Sequence, residues 1–369
     1  MRLQWMWPQW MGPVLLGLGL AIGPINAQAT LLYAGGEDVD FSCNGGGGCG
    51  IQTFAGTFRA GWAREAYQVA GTVSDPPTNR FATAVFSPVS TLWVHAQFCN
   101  FNPNSCVTTT SGNAQMIRIM DSSGNPTLIV RGTGTAGQVK ISSRTAGGAF
   151  TDLVTCSSAI NASLQQLDLY VNYGTSGQVT LYNNSVQVCD YTGNVTNGDG
   201  ATTLNQIEFS SPFFLGNWSE VIVATTDTRA MARFTANTTG NGNTTSFSGT
   251  NVCSSIWNAT AFNDASYGFS GTNNAIHECT INSAVPAGSY SVLGLVMSAR
   301  VLVGTTGPQH FDFVTRIGGT DYMSSDFSPI NSFSNITNYI QTTNPATSNP
   351  WAVSDFQAAG FNVGEQAKP

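Results

Sequence analysis

LDLYVNYGTSGQVTLYNNSVQVCDY, residues 167 to 191, alternates apolar and polar side chains around two turns. Leu167, Leu169 and Val171 fall on one face; Asp168, Tyr170 and Asn172 fall on the other. After Thr175-Ser176-Gly177 the alternation resumes at Val179 and Leu181. Asn183-Asn184 then turns the chain into Val186 and Val188. A period of two with Gly and Asn at the turns is the pattern of antiparallel sheet with one buried face.

The same texture extends outward over residues 30–226. Candidate strands include Arg80–Phe86, Thr91–Phe98, Gln115–Asp121, Pro126–Gly132, Phe150–Thr155 and Trp218–Ala224. Turn signals such as Ser122-Ser123-Gly124-Asn125-Pro126 separate them. Many short strands with regular turns predict a sandwich or barrel, and the length fits a large two-sheet jelly roll. Residues 227–250 contain the Gly/Asn/Thr-rich run ANTTGNGNTTSFSGT and read as a linker. Residues 251–369 read as a second, smaller β-sandwich domain, with Ser289–Val303 and His310–Ile317 as its main strands. A short helix is expected near the C-terminus, with Asn349 as its cap, Pro350 at its first position and Gly360 closing it. Trp351 and Phe356 are the candidates to dock it.

Charged residues are only 9% of the 369, against about 25% in an ordinary domain. The net charge is −7 and the lysines are two, Lys140 and Lys368, which excludes a nucleic-acid-binding role. Residues 1–29 read as a signal peptide or leader, with the apolar run PVLLGLGLAIG and the small residues of Ala27-Gln28-Ala29. No membrane span is expected once it is removed. Cys43, Cys49, Cys99, Cys106, Cys156, Cys189, Cys253 and Cys279 form an even set that points to disulfides in an oxidising compartment. The pairs expected are Cys43–Cys49, Cys99–Cys106, Cys156–Cys189 and Cys253–Cys279; spacing alone does not fix them. No Cys-x-x-Cys pair supports zinc.

Catalytic signatures are sparse. The six glutamates, Glu37, Glu65, Glu208, Glu220, Glu278 and Glu365, show no paired-carboxylate spacing. No residue is assigned a catalytic role. Arg118 and His95 resemble single members of a polysaccharide-lyase set without the surrounding motif. Glu37-Asp38-Val39-Asp40 reads as a solvated turn, with Glu37, Asp38 and Asp40 as the calcium candidates. No other cofactor is expected. Trp62 and Tyr67 are the candidates to stack on a sugar ring, whereas Trp93 and Trp218 are assigned to the core.

Residues 167–191 resemble the late strands of concanavalin-A-like jelly rolls of the laminin-G and legume-lectin type. LLYAGGEDVDF (31–41), FRAGWAREAY (58–67), DSSGNPTLIVRGTGTAG (121–137), WSEVIVATTDTRAM (218–231) and GPQHFDFVTRIGGTDY (307–322) are similar, in this order, to a family of bacteriophage tail-associated virion proteins. The resemblance implies a non-enzymatic virion or extracellular surface protein, tail- or fibre-associated. Its implied partners are other virion or surface proteins, copies of itself, and glycans or a host surface. The alternatives are a secreted carbohydrate-active enzyme, glycoside hydrolase or polysaccharide lyase, on the same fold, and a purely architectural subunit.

Overall fold

The computed structural model describes residues 2–8, 30–44, 49–52, 66–70, 77–102, 105–257, 263–282 and 288–369. Among these residues the regular structure is almost entirely antiparallel strand, arranged in four sheets. The fold is all-β: a jelly-roll sandwich followed by a second, smaller sandwich carrying one short α-helix.

The deciding stretch forms three neighbouring strands, Gln165–Asn172, Gly177–Asn183 and Val186–Gly193, in the register Leu169↔Leu181↔Cys189. Leu167, Leu169, Val171, Val179 and Leu181 are all buried, while Tyr170 and Asn172 face the other way. They begin a nine-stranded sheet that continues through Thr91–Asn102, Leu215–Ala224, Ala66–Ala70 and Cys49–Gln52, with Leu31–Gly35 also paired to Leu215–Ala224 and Ser105–Cys106 to Thr91–Asn102. A seven-stranded sheet faces it: Phe150–Cys156, Val139–Arg144, Pro126–Gly132, Gln115–Asp121, Leu204–Phe209, Arg80–Ala82 and Ser42–Asn44. Leu92, Val94 and Leu169 from one sheet meet Ile117, Ile119 and Val130 from the other in a single core. Each side chain sealed there contributes about 1.5–3 kcal/mol of transfer free energy. Cys156–Cys189 joins the outermost strands of the two sheets, so the disulfide staples the sandwich at one end.

The second sandwich pairs a four-stranded sheet (Met231–Ala236, Arg2–Pro8, Gly294–Val301, Ser334–Gln341) with a five-stranded one (Thr238–Thr245, Ile276–Ile281, Asn362–Lys368, His310–Ile317, Thr320–Met323). Phe234, Leu295 and Met297 pack against Phe311, Phe313 and Val363 between them. The two sandwiches share a further apolar layer. Leu31, Ala34, Ile222 and Ala224, on the outer face of the nine-stranded sheet, pack on Met231 and Val296. The sheets therefore stack four deep.

Several expectations need correction. Within the expected leader, Arg2–Pro8 is a strand hydrogen-bonded on both sides; residues 9–29 lie outside the described residues. The expected linker 227–250 contains the strands Met231–Ala236 and Thr238–Thr245. Its first strand was hidden by Arg233, a charge that the structure buries completely. The helix spans Val353–Gln357, capped at Ala352 rather than Asn349. The Asp355 carboxylate accepts from the Ala352 amide at 2.8 Å, the reciprocal half of a capping box. Trp351 and Phe356 do dock it, stacked at 4.7 Å and both buried. Gly360 follows with φ +82°, a left-handed position that favours glycine.

Candidate functional site

A cavity of about 530 Å³ opens in the second sandwich, between the strands Gly294–Val301 and His310–Ile317, the loop 263–270 and the start of Ser334–Gln341. Period-two geometry places Glu365 there. On Asn362–Lys368 it shares its face with Val363 and Ala367, one a core residue and the other a cavity wall. Its strand neighbours are Phe313 and His277, and its side chain lines the cavity. This close pairing requires the glycine before it: a side-chain carbon on Gly364 would lie 2.1 Å from the His277 carbonyl oxygen. Burial pushes the Glu365 carboxyl above the usual range, because an apolar surrounding disfavours its ionised form.

His277 is held neutral beside it. The Phe247 amide donates to Nδ1 at 3.3 Å, which leaves the ring proton on Nε2, and burial lowers the pKa. Nε2 lies 3.4 Å from the Cys253 sulfur. Cys253, His277 and Cys279 have ligand atoms within 4.8 Å of one another, but both sulfurs are committed to the Cys253–Cys279 bond.

A second carboxylate lines the cavity from the opposite environment. Asp264, in the loop, accepts two 2.8 Å hydrogen bonds from the Arg300 guanidinium. Those bonds hold its carboxyl below the usual range, so it is ionised at neutral pH. Arg300 also donates to Asn335 Oδ1 at 3.1 Å and lies over the Phe333 ring at 5.7 Å. Tyr267 packs against Phe333 at 5.7 Å and against Phe269 at 6.1 Å. Tyr267 and Phe269 remain 49% and 56% exposed, so their rings are available to a ligand. Chemically the cavity combines a carboxyl whose pKa is raised, a carboxylate whose pKa is lowered, and three aromatic rings.

The residues singled out in the sequence lie elsewhere. Tyr67 is not a sugar platform: it is 3% exposed and packed between Phe41 and Phe81. Trp62 lies outside the described residues. Glu37 and Asp40 do not form a solvated turn. Both are buried against Arg233, at 3.8 and 3.4 Å, on the seam between the sandwiches. An uncompensated guanidinium there would be far more costly than the pair. The Asp38 side chain lies outside the described residues.

Arg118 is paired with Glu208, which also accepts from Arg80 at 2.9 Å. His95 is fully buried, its Nδ1 2.8 Å from Asp168. Trp218 is core, but Trp93 is not: Leu92 and Val94 point inward, so Trp93 lies on the outer face with Tyr170 and Tyr182. Cys99–Cys106, Cys156–Cys189 and Cys253–Cys279 are bonded as expected. Cys43 is also disulfide-bonded, and the Cys49 side chain lies outside the described residues.

No family model and no curated protein sequence matches the chain. Solved structures similar to it include an endo-β-1,4-glucuronan lyase from Trichoderma reesei, at 10% identity and TM-score 0.39, covering 55% of this chain and 98% of the lyase. Domain 4 of an extracellular arabinanase from Geobacillus stearothermophilus is similar at 13% identity and TM-score 0.35, over 53% of this chain and 93% of that domain. An alginate lyase from Chlorella virus follows at 9% identity and TM-score 0.34, over 49% of this chain and 90% of its own. These are partial likenesses, each over about half of this chain. The expectation of a non-enzymatic protein stands corrected only to this extent: two of these solved structures are lyases and the third is a domain of an arabinanase. None of the three is a phage tail protein.

Proposed function

We propose that the chain is an extracellular carbohydrate-active enzyme that cleaves a glycan in the cavity of the second sandwich. The observation that carries this reading is the pair Glu365 and Asp264: two carboxyls lining one cavity, the first with its pKa raised by burial and the second with its pKa lowered by Arg300. Carboxyls of one site whose pKa values are pushed apart can divide acid and base roles between them. Glu365 delivers its proton to the glycosidic oxygen as the bond to the anomeric carbon breaks, and solvent water then adds to that carbon and returns a proton to Glu365. Asp264, ion-paired with Arg300, lines the same cavity and offers its carboxylate oxygens to sugar hydroxyls. Tyr267, Phe269 and Phe333 offer flat apolar faces of the kind a pyranose covers. An extracellular location agrees with the disulfides, and no helix among the described residues is long and apolar enough to cross a membrane.

The experiment that tests the assignment is a crystal soak of the Glu365→Gln chain with neutral and uronic-acid oligosaccharides. Sugar density between Tyr267, Phe333 and residue 365 is the expected result. Oligosaccharide bound elsewhere, with this cavity holding solvent only, removes the proposal.

A further inference from the structure

The outer face of the nine-stranded sheet carries a second set of rings that the cavity does not use. Cross-strand registry puts Tyr170 opposite Trp93 on one side and Thr180 on the other, with Tyr182 one pair further along. The Trp93 ring lies 5.0 Å from Tyr170 and is stacked on Tyr182 at 5.7 Å. All three are half-buried in the sheet and none is in the core. The Arg229 guanidinium lies over the Tyr182 ring at 4.4 Å and over the Trp93 ring at 5.5 Å. Polar groups line the other side. Thr180 and Gln178 donate to Asp190 Oδ1 at 2.5 and 2.7 Å, and Thr91 donates to Asn172 Oδ1 at 3.3 Å.

We infer that the Trp93–Tyr170–Tyr182 strip is a glycan-binding surface, separate from the cavity, that holds a neutral polysaccharide chain. Rings set in a pleated sheet at strand spacing, inclined to one another by 24–40° and topped in part by Arg229, present an apolar strip with fixed hydroxyl and amide groups beside it. That combination matches the alternating C–H faces and equatorial hydroxyls of a sugar chain, where burial of the face and directional hydrogen bonds act together. Charge selects the class. The Arg229 guanidinium is already gripped by Asp227, at 3.0 Å through Nε. Asp190 stays ionised, held down by the Thr180 hydroxyl and then by Gln178 and Thr192, with no cation beside it among the described residues. The surface therefore offers no free positive charge and one negative charge, which disfavours polyuronates and leaves neutral chains.

The surface is independent of the cavity, so the two are tested by different variants. Affinity electrophoresis of the full chain in gels containing hydroxyethylcellulose is compared with gels containing alginate. The expected result is retardation by the neutral polymer only, weakened at least about tenfold in W93A/Y182A. W93F, which keeps an aromatic ring, is expected to restore part of it. Tm of each variant separates loss of binding from loss of fold, and W93F serves as the binding readout if the double variant unfolds. Absence of retardation in hydroxyethylcellulose, stronger retardation in alginate, or undiminished binding by a folded W93A/Y182A or W93F chain overturns the inference.

Discussion

Thr228 donates its hydroxyl hydrogen to Asp168 at 2.8 Å, and that bond ties the crossing between the two sandwiches to the nine-stranded sheet. Asp168 is fully buried and is also contacted by His95 Nδ1 at 2.8 Å and by Gln166 Nε2 at 2.8 Å. Gln166 in turn donates to the Arg229 carbonyl, so both sides of the crossing are fastened by one short segment of strand. Burial opposes ionisation of Asp168, but the His95 ring beside it and the donors around it hold its carboxyl below the usual range. Asp168→Ala is expected to cost about 3–5 kcal/mol, because it leaves His95 and Thr228 with unmet polar atoms in a dry site. Thr228→Val, which removes one bond, is expected to cost about 1 kcal/mol. Urea unfolding of both variants checks the ranking; equal costs contradict it.

The pH dependence of stability follows from carboxyls displaced in opposite directions. Burial raises Asp40 and Asp312 to about 6 each, Asp312 with help from the nearby Asp326. A carboxyl whose folded pKa lies above its unfolded value stabilises the fold below the unfolded pKa of about 4 and loses that contribution as pH rises through about 6. Asp168, Asp190 and Asp264 are lowered, so their contributions are present at neutral pH and lost as pH falls below about 4. The chain is therefore expected to melt at a higher temperature near pH 5 than at pH 8, by about 2–4 °C. Asp312→Asn should shrink that difference. Thermal melts across this range decide it, and a Tm that climbs steadily from pH 5 to 8 rules the account out.

Cys156–Cys189 links the edge strand of one jelly-roll sheet to the edge strand of the other, across 33 residues of sequence. By the chain-entropy estimate its removal costs about 4 kcal/mol. A Cys156→Ala/Cys189→Ala chain should show that loss in denaturant midpoint while its far-ultraviolet spectrum stays β. A change below about 1 kcal/mol means the bond does not hold the sheets together.

The architecture of the first sandwich was legible because its strands obey one rule. Where one face is sealed and the other is not, as in Leu167–Tyr191, period two states the register directly. Trp93 could have been placed by the same rule: with Leu92 and Val94 inward, it must point outward. It was assigned to the core because it is large and apolar. Met231–Ala236 was hidden for the opposite reason, since Arg233 is buried in an ion cluster that forms only when Glu37 and Asp40 arrive from the far end of the chain. The cavity had no local signature at all. Asp264, Arg300, Phe333 and Glu365 span a hundred residues and converge only through sheet packing. No spacing rule reaches that far. Glu365 could have been noticed as an acid set in the alternating run from Phe361 to Ala367, on the same face as Val363.

Release of reducing ends from a panel of neutral and acidic polysaccharides, measured for the unaltered chain, Glu365→Gln and Asp264→Asn, bears most directly on the cavity as a catalytic centre. The unaltered chain is expected to cleave at least one polymer. Glu365→Gln is expected to lose on the order of a hundredfold or more at unchanged Tm, the loss expected when a general acid is removed. A folded Glu365→Gln chain that cleaves at the unaltered rate, or an unaltered chain that cleaves none of the panel, contradicts the assignment.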